Sequence, residues 1–164
     1  MATGGIELFN DPVAQELLES VIPARLAYAW TDGTPRAVSI WFQRAGNEIV
    51  LCTFYGAPKL RALHSGDRVA LTIDTNSPPN HILAIRGTVE VTHRCGVIAE
   101  YAKAAERYLG IEQAEAYIGS LPPDVRMARV AVQPDHVVVL DFETRFPQAL
   151  SALGFNDQRQ QRSK

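Results

Sequence analysis

Thr53 and Lys59, six residues apart, are the pair in this sequence best equipped to hold an anion. They lie in Leu51-Cys52-Thr53-Phe54-Tyr55-Gly56-Ala57-Pro58-Lys59-Leu60-Arg61-Ala62-Leu63, where a strand-like run gives way to a proline suited to the first position of a helix. The capping residue of that helix, Ala57 or Gly56, has no side-chain acceptor for the free N–H groups of the first turn. Lys59 falls in the same turn, where the helix dipole favours an acid over a cation. A phosphate in this corner answers both oddities, because it accepts the uncapped N–H groups, the Thr53 hydroxyl and the Lys59 ammonium. The alternative is a weakly capped turn whose lysine lays its methylenes along the surface.

The elements that must position this pair are mostly strands. Asn10 or Asp11 caps a first helix, Pro12 opens it, Ala14, Leu17, Leu18 and Val21 share one face, and Ile22-Pro23 ends it. Residues 24–31, 35–43 and 48–54 read as a meander joined by Asp32-Gly33 and by a turn at 44–47. A short helix is expected at 58–64, then strands at 68–74 and 81–92, helices at 96–109 and 111–120 parted by Gly110, and strands at 127–132 and 136–142. Residues 37–42 are apolar apart from Ser39, so neither face of that strand is expected to meet water. A barrel core would cover one face, and a partner subunit, a cofactor or an internal helix the other.

Composition narrows the function classes. A chain of 164 residues, 46% hydrophobic, fits one domain, here placed at 1–150, followed by a polar tail at 151–164 with Arg159, Arg162 and Lys164. A net charge of −2 without a basic stripe argues against nucleic acid. Cys52 and Cys95 have no metal or redox spacing, and His64, His81, His93 and His136 are not spaced as metal ligands. No apolar run approaches the ~20 residues of a membrane span, and no secretory leader is recognisable, so a cytoplasmic protein is expected.

Thr-x5-Lys followed by Asp67-Arg68-Val69-Ala70-Leu71, the upstream Asp32-Gly33-Thr34-Pro35-Arg36-Ala37-Val38-Ser39-Ile40-Trp41-Phe42, and Ile85-Arg86-Gly87-Thr88-Val89-Glu90-Val91 come in a telling order and spacing. Together, over roughly residues 20–142, they resemble the pyridoxamine 5′-phosphate oxidase-like, flavin-binding split-barrel family. The resemblance implies a mainly β fold with flanking helices, a six-stranded antiparallel split β-barrel that forms a homodimer with cofactor sites at the subunit interface. By the same resemblance Thr53 and Lys59 hold the cofactor phosphate, Arg36, Val38 and Ser39 follow the ribityl chain and ring, and Trp41 stands near the isoalloxazine. Ala57 and Pro58 occupy places where the family often has serine or arginine, which removes phosphate donors and leaves Arg61 or Arg86 to compensate.

Pyridoxamine phosphate oxidases themselves place a lysine where Trp41 stands, and their arginine-rich C-terminal segment is unrecognisable after Phe142. Oxidation of vitamin B6 is therefore not expected. Arg107-Tyr108-Leu109-Gly110 and Leu140-Asp141-Phe142-Glu143-Thr144-Arg145-Phe146-Pro147 are similar to the actinobacterial branch, which uses flavin mononucleotide (FMN) or the deazaflavin coenzyme F-420. The implied function is hydride transfer between such a cofactor, FMN in the first instance, and a small conjugated or apolar molecule. A non-catalytic carrier of flavin, deazaflavin or haem is the alternative, and a barrel that has lost its pocket a third. No catalytic acid or base is assigned; Tyr55, His81 and Tyr101 are candidates only as polar groups in a cleft.

Overall fold

The structure, a computed structural model, describes residues 1–143 and Arg145. The expected tail at 151–164 lies outside them. The strands are β1 (Ala2–Gly4), β2 (Ala24–Ala29), β3 (Pro35–Ile40), β4 (Phe42–Ala45), β5 (Glu48–Phe54), β6 (Arg68–Asp74), β7 (His81–Cys95) and β8 (Arg126–Asp141). Three helices accompany them, α1 (Pro12–Glu19), α2 (Ala99–Leu109) and α3 (Ile111–Gly119).

All pairings are antiparallel, in the order β3-β2-β6-β7-β8-β5-β4. The two ends of that order, β3 and β4, are separated in sequence by Trp41 alone. Both edges thus belong to one stretch of chain, and the sheet has to curl until they meet. Counting β3 and β4 as one broken strand gives the expected six-stranded antiparallel barrel, with β1 added along the distal half of β8 at Val137–Val139.

The packing follows from strand parity. In β2, Ala24, Leu26 and Tyr28 point inward, and in β6, Val69, Leu71 and Ile73 do the same. Helix α1, capped by Asp11 accepting from Val13 N–H at 3.0 Å, adds Ala14, Leu17 and Leu18 to this core. Strand β5 is buried on both faces. Ile49 and Leu51 enter the barrel, while Val50 and Cys52 pack under Ile98 and Tyr101. That second layer explains why its sequence is an unbroken apolar run.

Several expectations need correction. The strands placed at 127–132 and 136–142 are one strand, β8, whose register with β7 shifts between Arg86 and Gly87, where Gly87 faces Pro134. Proline is tolerated in a strand at such a bulge. The helix expected at 58–64 is a single 3-10 turn, Pro58–Arg61. Strand β1 and a 3-10 turn at Ile6–Asn10, which buries Phe9, were not foreseen. The covering of 37–42 is divided: Trp41 stacks on Tyr108 of α2, whereas Ala37 and Ser39 are exposed and, among the described residues, no internal helix lies over them. Among the described residues no helix is long and apolar enough to cross a membrane.

Candidate functional site

A cleft opens where the barrel fails to close. The β4–β5 ladder runs from Ala45↔Glu48 to Phe42↔Leu51 and stops. One step further, Trp41 and Ile40 would face Cys52 and Thr53, but Ile40 pairs instead with Ala24 of β2. Thr53 meanwhile pairs with Ala128 of β8. The strands splay, and the backbone edges that face each other across the gap are the unpaired ones. Ser39, Ile40 and Trp41 line one wall and Cys52, Thr53 and Phe54 the other; Lys59, Tyr101 and Tyr117 complete a cavity of about 360 Å³.

Lys59 reaches this cleft from the 3-10 turn, its ammonium donating to the Thr53 hydroxyl at 3.1 Å. Ala57 stands at the cap of the turn without a side-chain cap, and Pro58 opens it, so neither contributes a side-chain donor. Thr53 is 9% exposed and Lys59 is half-buried. Burial pulls the Lys59 pKa below its ordinary value. Among the described residues no carboxylate forms an ion pair with it. A partly desolvated cation whose hydrogen-bond partner is one neutral hydroxyl is an incomplete site, and an anion would complete it.

The aromatic wall is rigidly held. Trp41 stacks on Tyr108 with ring centroids 5.0 Å apart at 4°, and Tyr108 donates its hydroxyl to the Ile22 carbonyl at 3.2 Å. Phe54 meets Tyr101 edge-on at 5.7 Å, and the Tyr101 and Tyr117 hydroxyls share a hydrogen bond of 2.7 Å. Burial, then the Tyr117 hydrogen bond, holds the Tyr101 hydroxyl well above its ordinary pKa. Burial, reinforced by Glu100, pushes the Cys52 thiol up to about 12. Both groups are neutral near pH 7, so Lys59 carries the only charge among the lining residues. Neither Cys52 nor Tyr101 is thereby a ready nucleophile or base. Such a place suits a planar ligand that bears an anionic group and brings its own chemistry.

The other expected residues are distributed differently. Ser39 and Trp41 line the cleft, but Val38 turns its side chain to the barrel core. Arg36 and Arg61 are not among the lining residues; their guanidiniums meet over Trp30, at 5.4 and 5.7 Å from its ring centroid. Arg86 is the farthest of them from Thr53 within one chain. It is exposed on β7 opposite His136, seven residues from His93, and His93 is the β7 residue in register with Ala128 and so with Thr53. At ~3.3 Å per residue that is a separation of roughly 20 Å within one chain. His81 is bound to Glu16 at 2.9 Å, and Tyr55 lies under the Arg126 guanidinium at 3.9 Å, both outside the cleft lining. Tyr101 alone of the three polar candidates is in place. Sequence reasoning missed Tyr117, whose only signal was a helical face shared with Ala114 and Ile118.

A family model described as pyridoxamine 5′-phosphate oxidase matches residues 11–143. A search of curated protein sequences gave no match. Among solved structures the chain is similar to an F420 reductase, with 25% identity, a TM-score of 0.57, and coverage of 76% of this chain and 94% of that one. It is also similar to the haem storage protein HutZ of Vibrio cholerae, at 14% identity and a TM-score of 0.56 over 79% of this chain and 94% of that one. A third is the FAD binding protein of Mycobacterium smegmatis, at 21% identity and a TM-score of 0.50, covering 78% and 92%.

Proposed function

Because this chain belongs to the pyridoxamine 5′-phosphate oxidase family, we propose that its cleft binds a flavin-type cofactor, FMN or alternatively the deazaflavin coenzyme F-420, for hydride transfer to a small conjugated or apolar molecule. The observation that carries this reading is the Lys59 ammonium, half-buried on the Thr53 hydroxyl with no carboxylate counter-ion among the described residues. Thr53 and Lys59 hold the phosphate. Ser39 and Trp41 flank the ring, and the unpaired edges of β3 and β5 offer main-chain donors and acceptors to its polar rim. Arg36 and Arg61 add positive potential from Trp30 without entering the cleft lining.

The bound cofactor supplies the hydride chemistry. The chain's own part is to fix the ring, exclude water with Trp41, Phe54 and Tyr101, and present an apolar, uncharged face to the substrate. Trp41 in place of a cation argues against a substrate carrying its own phosphate, so vitamin B6 oxidation is disfavoured. The exposed face of β3 at Ala37 and Ser39, together with exposed Phe54 and Tyr55, supports a homodimer in which a second copy closes each cleft.

A second reading is a carrier of flavin, deazaflavin or haem. It is favoured by the state of Cys52 and Tyr101, which stay protonated, and by a lining whose one charged group, Lys59, is given to the ligand's anionic group. Visible spectra of the protein as purified, then titrated with FMN and with F-420, test the common premise, since the two chromophores absorb differently. A red-shifted, saturable spectrum with one of them is expected; a colourless protein that perturbs neither would end the enzyme reading and the flavin and deazaflavin carriers, and haem titrated in the same way tests the carrier that is left. Sustained oxidation of the reduced cofactor by small conjugated acceptors separates enzyme from carrier.

A further inference from the structure

A second cavity, about 570 Å³, lies between α1, the β4–β5 hairpin and the outer side of α2, and shares no lining residue with the cleft. Arg44, Lys103 and Arg107 line it, with Glu19 as the only acid and Gln15 and Gln43 as neutral amides. Lys103 and Arg107 are four residues apart on α2 and so share a helix face. None of the three cations makes an ion pair among the described residues, and neither does Glu19.

Both guanidiniums are fixed by neutral groups. Arg107 donates to the Leu18 carbonyl at 2.7 Å and to the Phe42 carbonyl, and stacks over the Phe42 ring at 4.5 Å. Arg44 donates to the carbonyls of Gly46 at 3.0 Å and Phe9 at 3.3 Å. The Gly46 bond comes from Arg44 Nε; the other three come from Nη groups, each of which carries two N–H bonds and keeps one beyond the carbonyl it serves. Tying off backbone carbonyls accounts for two arginines as braces. It does not account for Lys103, which is exposed, hydrogen-bonded to nothing among the described residues, and lines the same hollow; Glu100, the acid that feels its charge, is already held by Arg129.

We propose that this hollow is a second, separate binding site for a small organic dianion, a phosphate monoester or a dicarboxylate. Its volume falls within the range of small-molecule sites. Its two arginines are held in place before the ligand arrives, which spares the ordering entropy that flexible side chains would lose on binding. Three positive groups against one negative leave two charges to be met, the charge of one such anion. The two glutamine amides supply uncharged contacts for the remainder of the ligand.

The test uses the full chain with inorganic phosphate and with succinate as probes, titrated calorimetrically in chloride buffer of matched ionic strength. Saturable binding of at least one probe is expected. It should weaken at least tenfold in Lys103→Gln and in Arg44→Gln, and a saturable event should survive in Lys59→Gln, which removes only the cleft's cation. Arg44 also braces the hairpin, so if Arg44→Gln misfolds, Lys103→Gln decides alone, because its side chain is exposed and circular dichroism can verify its fold. No saturable heat with either probe overturns the proposal. So does binding lost in Lys59→Gln but kept in Lys103→Gln, because the anion would then sit in the cleft.

Discussion

A lysine drawn half out of water loses hydration that its charge needs, and Lys59 has only the Thr53 hydroxyl in return. The sign of its pKa shift therefore has consequences. Its charged form is disfavoured in the folded protein, so without an anion Lys59 costs stability at neutral pH. That cost is relieved as pH rises through its depressed value toward the ordinary one. Lys59→Met should accordingly leave the cofactor-free protein as stable as the parent or slightly more so, which thermal melts at pH 7 would read; a clear fall would mean that the ammonium is structural. An anion in the cleft restores the charged form, so binding takes up protons and its affinity declines as pH climbs through the free-protein value. Lys59→Ala should weaken FMN or F-420 binding by about 1.5–3 kcal/mol, the worth of a hydrogen bond to a charged group. That is roughly ten- to a hundredfold in Kd, measurable by fluorescence quenching. An unchanged affinity in a folded variant would remove the phosphate assignment. This pair was legible in sequence because six residues of local chain set its geometry. Arg36, Arg61 and Arg86 were not, because their positions depend on pairings between distant strands. Register carries Arg86 away from Thr53, and Trp30 collects the other two.

At the scale of elements, alternation and turn residues revealed most strands, and the failures share a cause. Pro134 looked like a break between two strands, yet β8 runs through it, because β7 absorbs the irregularity at Gly87. Nothing local to Pro134 announces a compensation that lies 47 residues earlier in β7. A Cβ added at Gly87 would approach the Gln133 carbonyl oxygen to 2.2 Å, against backbone that cannot step aside cheaply. Gly87→Ala should therefore destabilise the barrel by about 1–3 kcal/mol, the usual effect of overpacking. Chemical denaturation would show this as a lower midpoint with an unchanged slope. A neutral result would mean that the bulge is plastic. The turn after β5 was overread as a helix because proline, alanine and leucine at 57–63 suit one, whereas the chain closes after four residues, with the Ala62 and Leu63 N–H groups both donating to the Lys59 carbonyl. The shorter turn still delivers the ammonium to Thr53.

For the whole molecule, the closed loop of strands explains why a single chain leaves its site unfinished. Joining β3 to β4 through Trp41 forces the barrel shut on one side, and the same joint prevents Ile40 from meeting Thr53, so closure and cleft have one origin. The strand that borders the opening keeps Ala37 and Ser39 in solvent, two small side chains that let another chain approach closely. If a second copy covers this face, assembly and cofactor binding are linked, and whatever breaks one must weaken the other. Ala37→Arg puts a long cation on the exposed face without entering the core. It should shift the protein toward monomer in light scattering, and FMN or F-420 affinity should fall with it, although no residue in the cleft has changed. A dimer that persists with full affinity would place the subunit contact elsewhere. A monomer that binds as tightly as the parent would mean that each cleft is complete within its own chain.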